Sequence, residues 1–257
     1  MKRWVALGKR LSGADGVITL GVKPNFYDYS PEERGLILNS DTILYPTTNY
    51  AQFFHTMGKR IFPSLETYLY SDDKIKQTSL FYILGLRHPK TRFYFGRQKS
   101  DILRDFDFPF IGKLPRASAG GRGVFLIGDE NELDNYLKKA KVAYIQEYIP
   151  HERDIRVILI GYEPILAYWR IPKEGFKTNL IQGASFSFED IPPSALEYAI
   201  YVSKACRFND VGLDLLPHRS GFYILEANMH YGRRALNAKG MDLKRILLDK
   251  LDRGVIP

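Results

Sequence analysis

Apolar positions recur along this chain at two spacings, and each spacing marks a kind of element. Short β-branched or aromatic runs read as strands, and i, i+3, i+4 recurrences read as helices. In the first third, Trp4–Leu7, Val17–Val22 and Ile43–Tyr45 read as strands, the last ended by Pro46, and Gln52–Lys59 reads as a helix. Ser71, Asp72 and Asp73 then form an N-cap run before Ile75, Leu80, Ile83 and Leu84, which recur at helical spacing and stop at Gly85. Arg92–Phe95, Phe108–Leu114, Val124–Ile127 and Ala143–Ile149 read as further strands. A short helix is expected over Asp101–Phe106 and a surface helix over Glu130–Lys139, with Leu133 and Leu137 inward. Asp154–Ile160 and Ile165–Ile171 read as a hairpin around Gly161-Tyr162-Glu163-Pro164. Pro193–Cys206 is an amphipathic helix, and Met241–Leu251 is a closing helix with Leu243, Ile246, Leu247 and Leu251 inward. Strands and helices mixed in this way place the chain in the α+β (mixed α/β) class.

The stretch Val211–Gly232 carries the candidate chemistry. Two apolar runs, Val211–Leu216 and Phe222–Ala227, flank the turn-prone Pro217–Gly221, which predicts a hairpin. Glu226 and Asn228 are two apart and share a strand face. With the turn centred near Ser220, Asp214 falls opposite Glu226, and cross-strand neighbours lie about 5 Å apart. Two carboxylates that close repel unless a positive charge sits between them. Mg²⁺ fits, because it takes oxygen ligands and commonly one or two carboxylates plus substrate phosphates. The alternative is a solvated hairpin face. Upstream, Ser118–Gly123 is a glycine-rich loop between two strands. It is suited to closing over a polyphosphate with backbone N–H donors, with a plain turn as the alternative.

Composition narrows the partners. The chain has 257 residues and a net charge of +8, which suits a polyanionic partner such as a nucleoside triphosphate, nucleic acid or acidic peptide and selects none of them. Its basic residues are dispersed and form no RNA-binding or zinc-finger motif, so a nucleic-acid partner is not expected. The single cysteine, Cys206, excludes an intrachain disulfide framework and reads as a buried, inert thiol. No long apolar run spans a membrane and no secretory leader is visible, so a cytoplasmic protein is expected. Gly8 begins no dinucleotide fingerprint.

Taken together, these pieces resemble an ATP-grasp ligase, most closely the RimK type of carboxylate–amine ligases, over about residues 72–250. Asp73-Lys74, Gly85 and His88-Pro89-Lys90-Thr91 resemble the family's opening helix and the stretch after it. Phe108–Lys113 resembles its FPxVxK strand, Ser118–Val124 its glycine-rich loop and Gln146–Ile149 its nucleotide hinge. Asp154-Ile155-Arg156, Ala167–Asn179, Gly212-Leu213-Asp214 and Glu226-Ala227-Asn228 complete the series in order. The resemblance implies an ATP-grasp fold with a small α/β N-terminal domain (residues 1–71). An ATP-grasp domain (residues 72–257) would follow, with a lid subdomain over roughly 108–145. It implies amide or peptide bond formation through an acyl phosphate, with ATP and one or two Mg²⁺ (Mn²⁺ as substitute). The substrates would be a small-molecule or peptide carboxylate and an amine. Relatives often dimerise, which leaves a homodimer open.

Residue by residue, the resemblance puts Lys74 and Lys113 on the ATP phosphates and Ser118, Gly120, Gly121 and Gly123 over them. Gln146, Glu147, Tyr148 and Ile149 would hold adenine, and Asp154 the ribose. Arg170 would be catalytic, with Lys177 and Asn179 beside the phosphates and the metal, and Lys177 catalytic as well. Asp214, Glu226 and Asn228 would hold Mg²⁺. The sequence departs from the family after Asn228, where Met229–Arg234 replaces a Ser-x-Pro-Gly-like loop on the acceptor side. Arg233 and Arg234 are candidates for a substrate carboxylate. The departure also motivates an alternative function, a non-catalytic ATP-binding sensor or partner-docking protein.

Overall fold

The structure, a computed structural model, describes residues 4–116, 123–172 and 185–257. Its first unit is a parallel sheet in the order β2-β1-β3-β4, made of β1 Trp4–Ala6, β2 Val17–Thr19, β3 Thr42–Leu44 and β4 Arg60–Phe62. Helices α1 Pro31–Asn39, α2 Thr48–Thr56 and α3 Leu65–Leu69 accompany it. The sequence pattern passes over α1 because only Ile37 of its residues is buried, so it shows no apolar stripe. Its ends define it instead. The Ser30 hydroxyl accepts from the Glu33 N–H, the Glu33 carboxylate accepts from the Ser30 N–H, and Pro31 opens the first turn. Helix α2 begins before the expected Gln52, after the extended Thr47. It is over by Gly58, which takes a left-handed φ of 73°. Strand β4 has three residues, too few for alternation to show.

Helix α4 Lys74–Ile83 starts at Asp73, whose carboxylate accepts from the Lys76 N–H, as the cap run predicts. A second, antiparallel sheet follows in the order β5-β8-β6-β7. It comprises β5 Thr91–Phe95, β6 Phe110–Lys113, β7 Val124–Ile127 and β8 Val142–Glu147, with helices α5 Ile102–Asp105 and α6 Glu130–Lys139 packed on it. Gly112 is required here: a Cβ would lie 2.7 Å from Ile127 Cδ1 and 3.0 Å from the Tyr136 ring.

The third sheet is antiparallel, in the order β11-β10-β9-β12-β13. Its strands are β9 Asp154–Ile160, β10 Glu163–Ile171, β11 Ser185–Ser187, β12 Asp210–His218 and β13 Gly221–Asn228. Strand β10 starts two residues before the expected Ile165, because Gly161 and Tyr162, both at positive φ, suffice for the turn. One face is apolar throughout. Ile155, Val157 and Leu159 join Val211, Leu213 and Leu215 beneath helix α7 Pro193–Ala205, and burying each such side chain stabilises by ~1.5–3 kcal/mol. Cys206, buried in this core, has its thiol pushed up to about 12 by burial, as expected of an inert thiol.

The opposite face changes character along its length. Ile158 and Ile160 pack against Ala6, Tyr45 and Phe62 of the first unit and against helices α8 Arg234–Ala238 and α9 Leu243–Asp252. Asp154, Arg156 and Asp214 occupy the other end. Packing thus closes one half of this face and leaves a charged half beside α4 and the second sheet. Among the described residues, no helix is long and apolar enough to cross a membrane.

Candidate functional site

The β12–β13 hairpin sets the site. His218 pairs with Gly221, so Arg219 and Ser220 make the turn, and the register brings Asp214 opposite Glu226 and Gly212 opposite Asn228. This is the juxtaposition that the spacing in the sequence predicts. The register shifts after Asp214, a bulge that twists the pair. The positive charge beside Asp214 comes from the neighbouring strands. Asp214 Oδ1 accepts from Arg156 Nε at 2.6 Å, and Oδ2 accepts from Arg156 Nη2 at 2.7 Å and Asn228 Nδ2 at 3.0 Å. Arg170 Nη2 lies 3.0 Å from the same Oδ2, while Arg170 Nε and Nη2 fork Asp154 at 2.6 and 2.7 Å.

Strand registry explains this chain of charges. Arg156 lies opposite Asp214 across β9–β12, and Arg170 lies opposite Asp154 across β9–β10. Burial alone would raise the Asp214 carboxyl, but Arg156 and Arg170 outweigh it and hold the group below the usual carboxylate range. Burial likewise works against the Arg170 charge, and Asp154 and Asp214 more than offset it, keeping the guanidinium firmly ionised. Arg156 is the site residue the sequence reading did not single out. The signal was present: Asp154 and Arg156 are two apart on an otherwise apolar strand, so both point to one face.

Two lysines approach from other elements. Lys74, in the first turn of α4, places Nζ 2.9 Å from Glu226 Oε1. Lys113 ends β6, is 8 % exposed, and stands over the Tyr144 ring at 5.4 Å. Burial, reinforced by Lys74 and opposed by Glu226 and Asp214, brings its ammonium down to about 8. Gln77 of α4 fixes β13: its side-chain amide donates to the Ala227 carbonyl at 2.8 Å and accepts from the Ala227 N–H at 3.0 Å. It thereby holds the residue between Glu226 and Asn228.

Of the expected nucleotide hinge, Gln146 is buried and donates to Thr91 Oγ1 at 2.9 Å, and Glu147 accepts from the Lys90 N–H at 2.6 Å. Tyr148 and Ile149 are half-buried beyond the end of β8. Gly123 closes the base of the glycine-rich loop, its carbonyl accepting from the Leu114 N–H at 2.7 Å. Ser118, Gly120, Gly121, Lys177 and Asn179 lie outside the described residues.

The donor set suits Mg²⁺. Asp214, Glu226 and Asn228 offer oxygen, and Asp214 Oδ1 takes one hydrogen bond among the described residues where a carboxylate oxygen has room for about two. No cluster of three or more His, Cys, Asp or Glu able to hold a metal occurs among the described residues. The ion therefore needs further oxygens such as those of a nucleotide, which is how Mg²⁺ is commonly bound.

A model of the RimK-like ATP-grasp domain matches residues 71–251. The alpha-aminoadipate–LysW ligase LysX of Sulfurisphaera tokodaii is 25% identical over 230 residues, covering 82% of this chain and 80% of that protein. The coenzyme gamma-F420-2:alpha-L-glutamate ligase of Methanococcus maripaludis is 28% identical over 193 residues, covering 71% and 67%. Among solved structures, a RimK domain ATP-grasp protein from Sphaerobacter thermophilus superposes with a TM-score of 0.68 at 16% identity, covering 96% and 98% of the two chains.

Proposed function

The chain belongs to the RimK-like ATP-grasp family and is an ATP-dependent carboxylate–amine ligase; we propose that it works through an acyl phosphate formed beside Arg170, Asp214 and Glu226. The observation supporting these roles is the charge chain at the hairpin, two opposed carboxylates with the buried Arg170 and half-buried Arg156 guanidiniums beside Asp214 and two lysines close by. An oxygen of the substrate carboxylate attacks the γ-phosphorus of ATP, and ADP leaves. The amine nitrogen then attacks the acyl carbon, loses a proton and expels phosphate, giving the amide.

Lys74 and Lys113 draw in the triphosphate as point charges. Arg170 stabilises the negative charge that develops on the transferring phosphoryl group and on the tetrahedral intermediate. Asp154 has both oxygens in the Arg170 fork and is 1 % exposed, so we place it behind Arg170 as a positioning residue rather than against the ribose. Asp214, Glu226 and Asn228 hold one or two Mg²⁺. When bound, Mg²⁺ supplies neutralisation of the triphosphate charge. The glycine-rich loop, the Gln146–Ile149 hinge, Lys177 and Asn179 keep the roles that the family resemblance implies. We divide the chain after residue 71 and assign the lid to the whole second sheet, 91–147, since β5 pairs with β8.

The amine substrate we propose is an acidic amino acid. Two relatives are named for alpha-aminoadipate and alpha-L-glutamate, and the chain's net charge of +8 attracts anions. Nucleotide binding with and without Mg²⁺, in wild type and Glu226→Ala, tests the site. Mg²⁺-dependent ATP binding that weakens about tenfold or more in the variant is expected, with ADP release requiring both an acid and an amine. Nucleotide binding that ignores Mg²⁺ would remove the metal assignment, and a wild type that binds no nucleotide would overturn the whole reading.

A further inference from the structure

Strand register lays Tyr168, Arg156, Asp214 and Glu226 in one row across β10, β9, β12 and β13. Arg156 is an inner member of that row, and its stem is walled in. A Cβ at Gly212 would lie 3.6 Å from Arg156 Cδ and 2.6 Å from Tyr231 Cβ, so the stem and the loop after Asn228 meet over Gly212. On the other side stands Tyr168, 1 % exposed and braced edge-on by Phe186 and Phe188, with ring centroids 6.0 and 6.1 Å away. The guanidinium is thereby directed at the Asp214 carboxylate and takes both of its oxygens. A fork held in this way is pre-organised, which a flexible ammonium would not be.

The carboxylates that would hold the metal are each met by a cation of the chain itself. Asp214 Oδ2 faces N–H groups of Arg156, Arg170 and Asn228, and Oδ1 takes the Arg156 Nε. Glu226 carries Lys74 at Oε1. At neutral pH, Asp154, Asp214 and Glu226 contribute three negative charges among the described residues. Lys74, Lys113, Arg156 and Arg170 contribute four positive ones, which leaves a net charge of +1. A centre of that sign repels a bare divalent cation. It attracts the same cation carried on a triphosphate, because that complex is an anion. Arg156 decides the sign, since without it the charges cancel. The pair is more than a strand clamp, because β9 and β12 are already joined by their backbone ladder and by the apolar core under α7.

We propose that Arg156 is the specificity-determining residue of the metal site: it excludes free divalent cation and admits the cation as a metal–nucleotide complex. The proposal rests on the ligase reading and deepens it, since it gives one residue the choice between two chemical forms of the same metal. Arg156 acts through Asp214 as a positioning residue, and no contact with the reacting atoms is required of it.

The test uses the full chain at neutral pH with Mn²⁺ as the probe. Calorimetry measures two affinities, one for Mn²⁺ alone and one for the Mn²⁺ complex of a non-hydrolysable ATP analogue. Wild type should bind the complex more tightly than the bare ion, by about tenfold or more. Arg156→Gln keeps a hydrogen-bond donor and removes the charge. It should bind bare Mn²⁺ about tenfold more tightly than wild type and the complex more weakly, as expected when a unit charge is removed close to a divalent ion. Arg156→Lys keeps the charge and loses the fork, and should retain the wild-type preference. A wild type that binds bare Mn²⁺ as tightly as the complex would overturn the proposal, and that result needs no variant to fold. So would an Arg156→Gln protein, shown to be folded by circular dichroism, that keeps the wild-type ratio of the two affinities. A Lys variant that gains bare Mn²⁺ as strongly as the Gln variant would equally overturn it. Each of these outcomes leaves the ligase reading standing. A wild type that binds no nucleotide, with or without metal, would remove both.

Discussion

Lys113 ends β6 with its ammonium buried against Tyr144 and facing Lys74, Glu226 and Asp214. Its pKa of about 8 is depressed, the reverse of the usual lysine that gains a partner. The unfolded chain, near the ordinary value of about 10.4, therefore binds more protons than the folded chain between pH 8 and about 10.4. Stability of the nucleotide-free protein should rise with pH through that window. Nucleotide binding has the opposite sign, since a triphosphate favours the charged lysine and draws a proton in. Above pH 8, ATP affinity should fall by up to tenfold per pH unit, and Lys113→Arg, permanently charged, should flatten that slope. Calorimetry in two buffers of different ionisation enthalpy reads the proton uptake, and its absence at pH 8.5 would contradict the assignment. The lysine's identity is legible in the Phe108–Lys113 strand motif. Its pKa is not, because burial and the facing charges come from α4, β12 and β13, which are distant in sequence.

At the scale of elements, β13 is an edge strand whose exposed backbone groups need partners. Gln77 supplies them at Ala227, the residue between Glu226 and Asn228. Gln77→Leu should leave a buried N–H and C=O unpaired at about 1–3 kcal/mol each. A thermal melt should show a loss of several degrees, and Mg²⁺-dependent ATP binding should weaken with it. An unchanged melting temperature would show that the clamp is dispensable. Helix α4 itself was legible from its Asp73 cap and apolar spacing, and the hairpin from its alternation around a turn. Helix α1 was not, since a helix with one buried residue leaves capping chemistry as its only signature.

Across the whole molecule, the Arg10–Asp210 pair joins the first unit to the third sheet, with Tyr45 and Tyr231 completing the bonds. Burial pushes the Asp210 carboxyl up despite Arg10, so the pair is held at a desolvation cost. Removing one partner should be expensive. Asp210→Ala should destabilise by about 3–5 kcal/mol, because it leaves Arg10 and two tyrosine hydroxyls without their acceptor. Urea unfolding measures this, and a transition that broadens or splits would show that the first unit depends on this contact for its place on the sheet. A change under 1 kcal/mol, about the worth of an exposed pair, would show that it does not.

The sequence by itself determined the strands of the second sheet, those of the third sheet except β11, the opposition of Asp214 and Glu226, and the family. Each of these is written in local periodicity, turn residues or motif order over a few tens of positions. Tertiary structure alone decided that Arg156, not singled out in the sequence, neutralises Asp214, that Arg170 is oriented by Asp154, and that Arg10 pairs with Asp210. Those pairings depend on strand register across β9, β10 and β12 and on packing between units separated by up to some two hundred residues. Side-chain period says which face a residue takes; only the closed sheet says what stands opposite it.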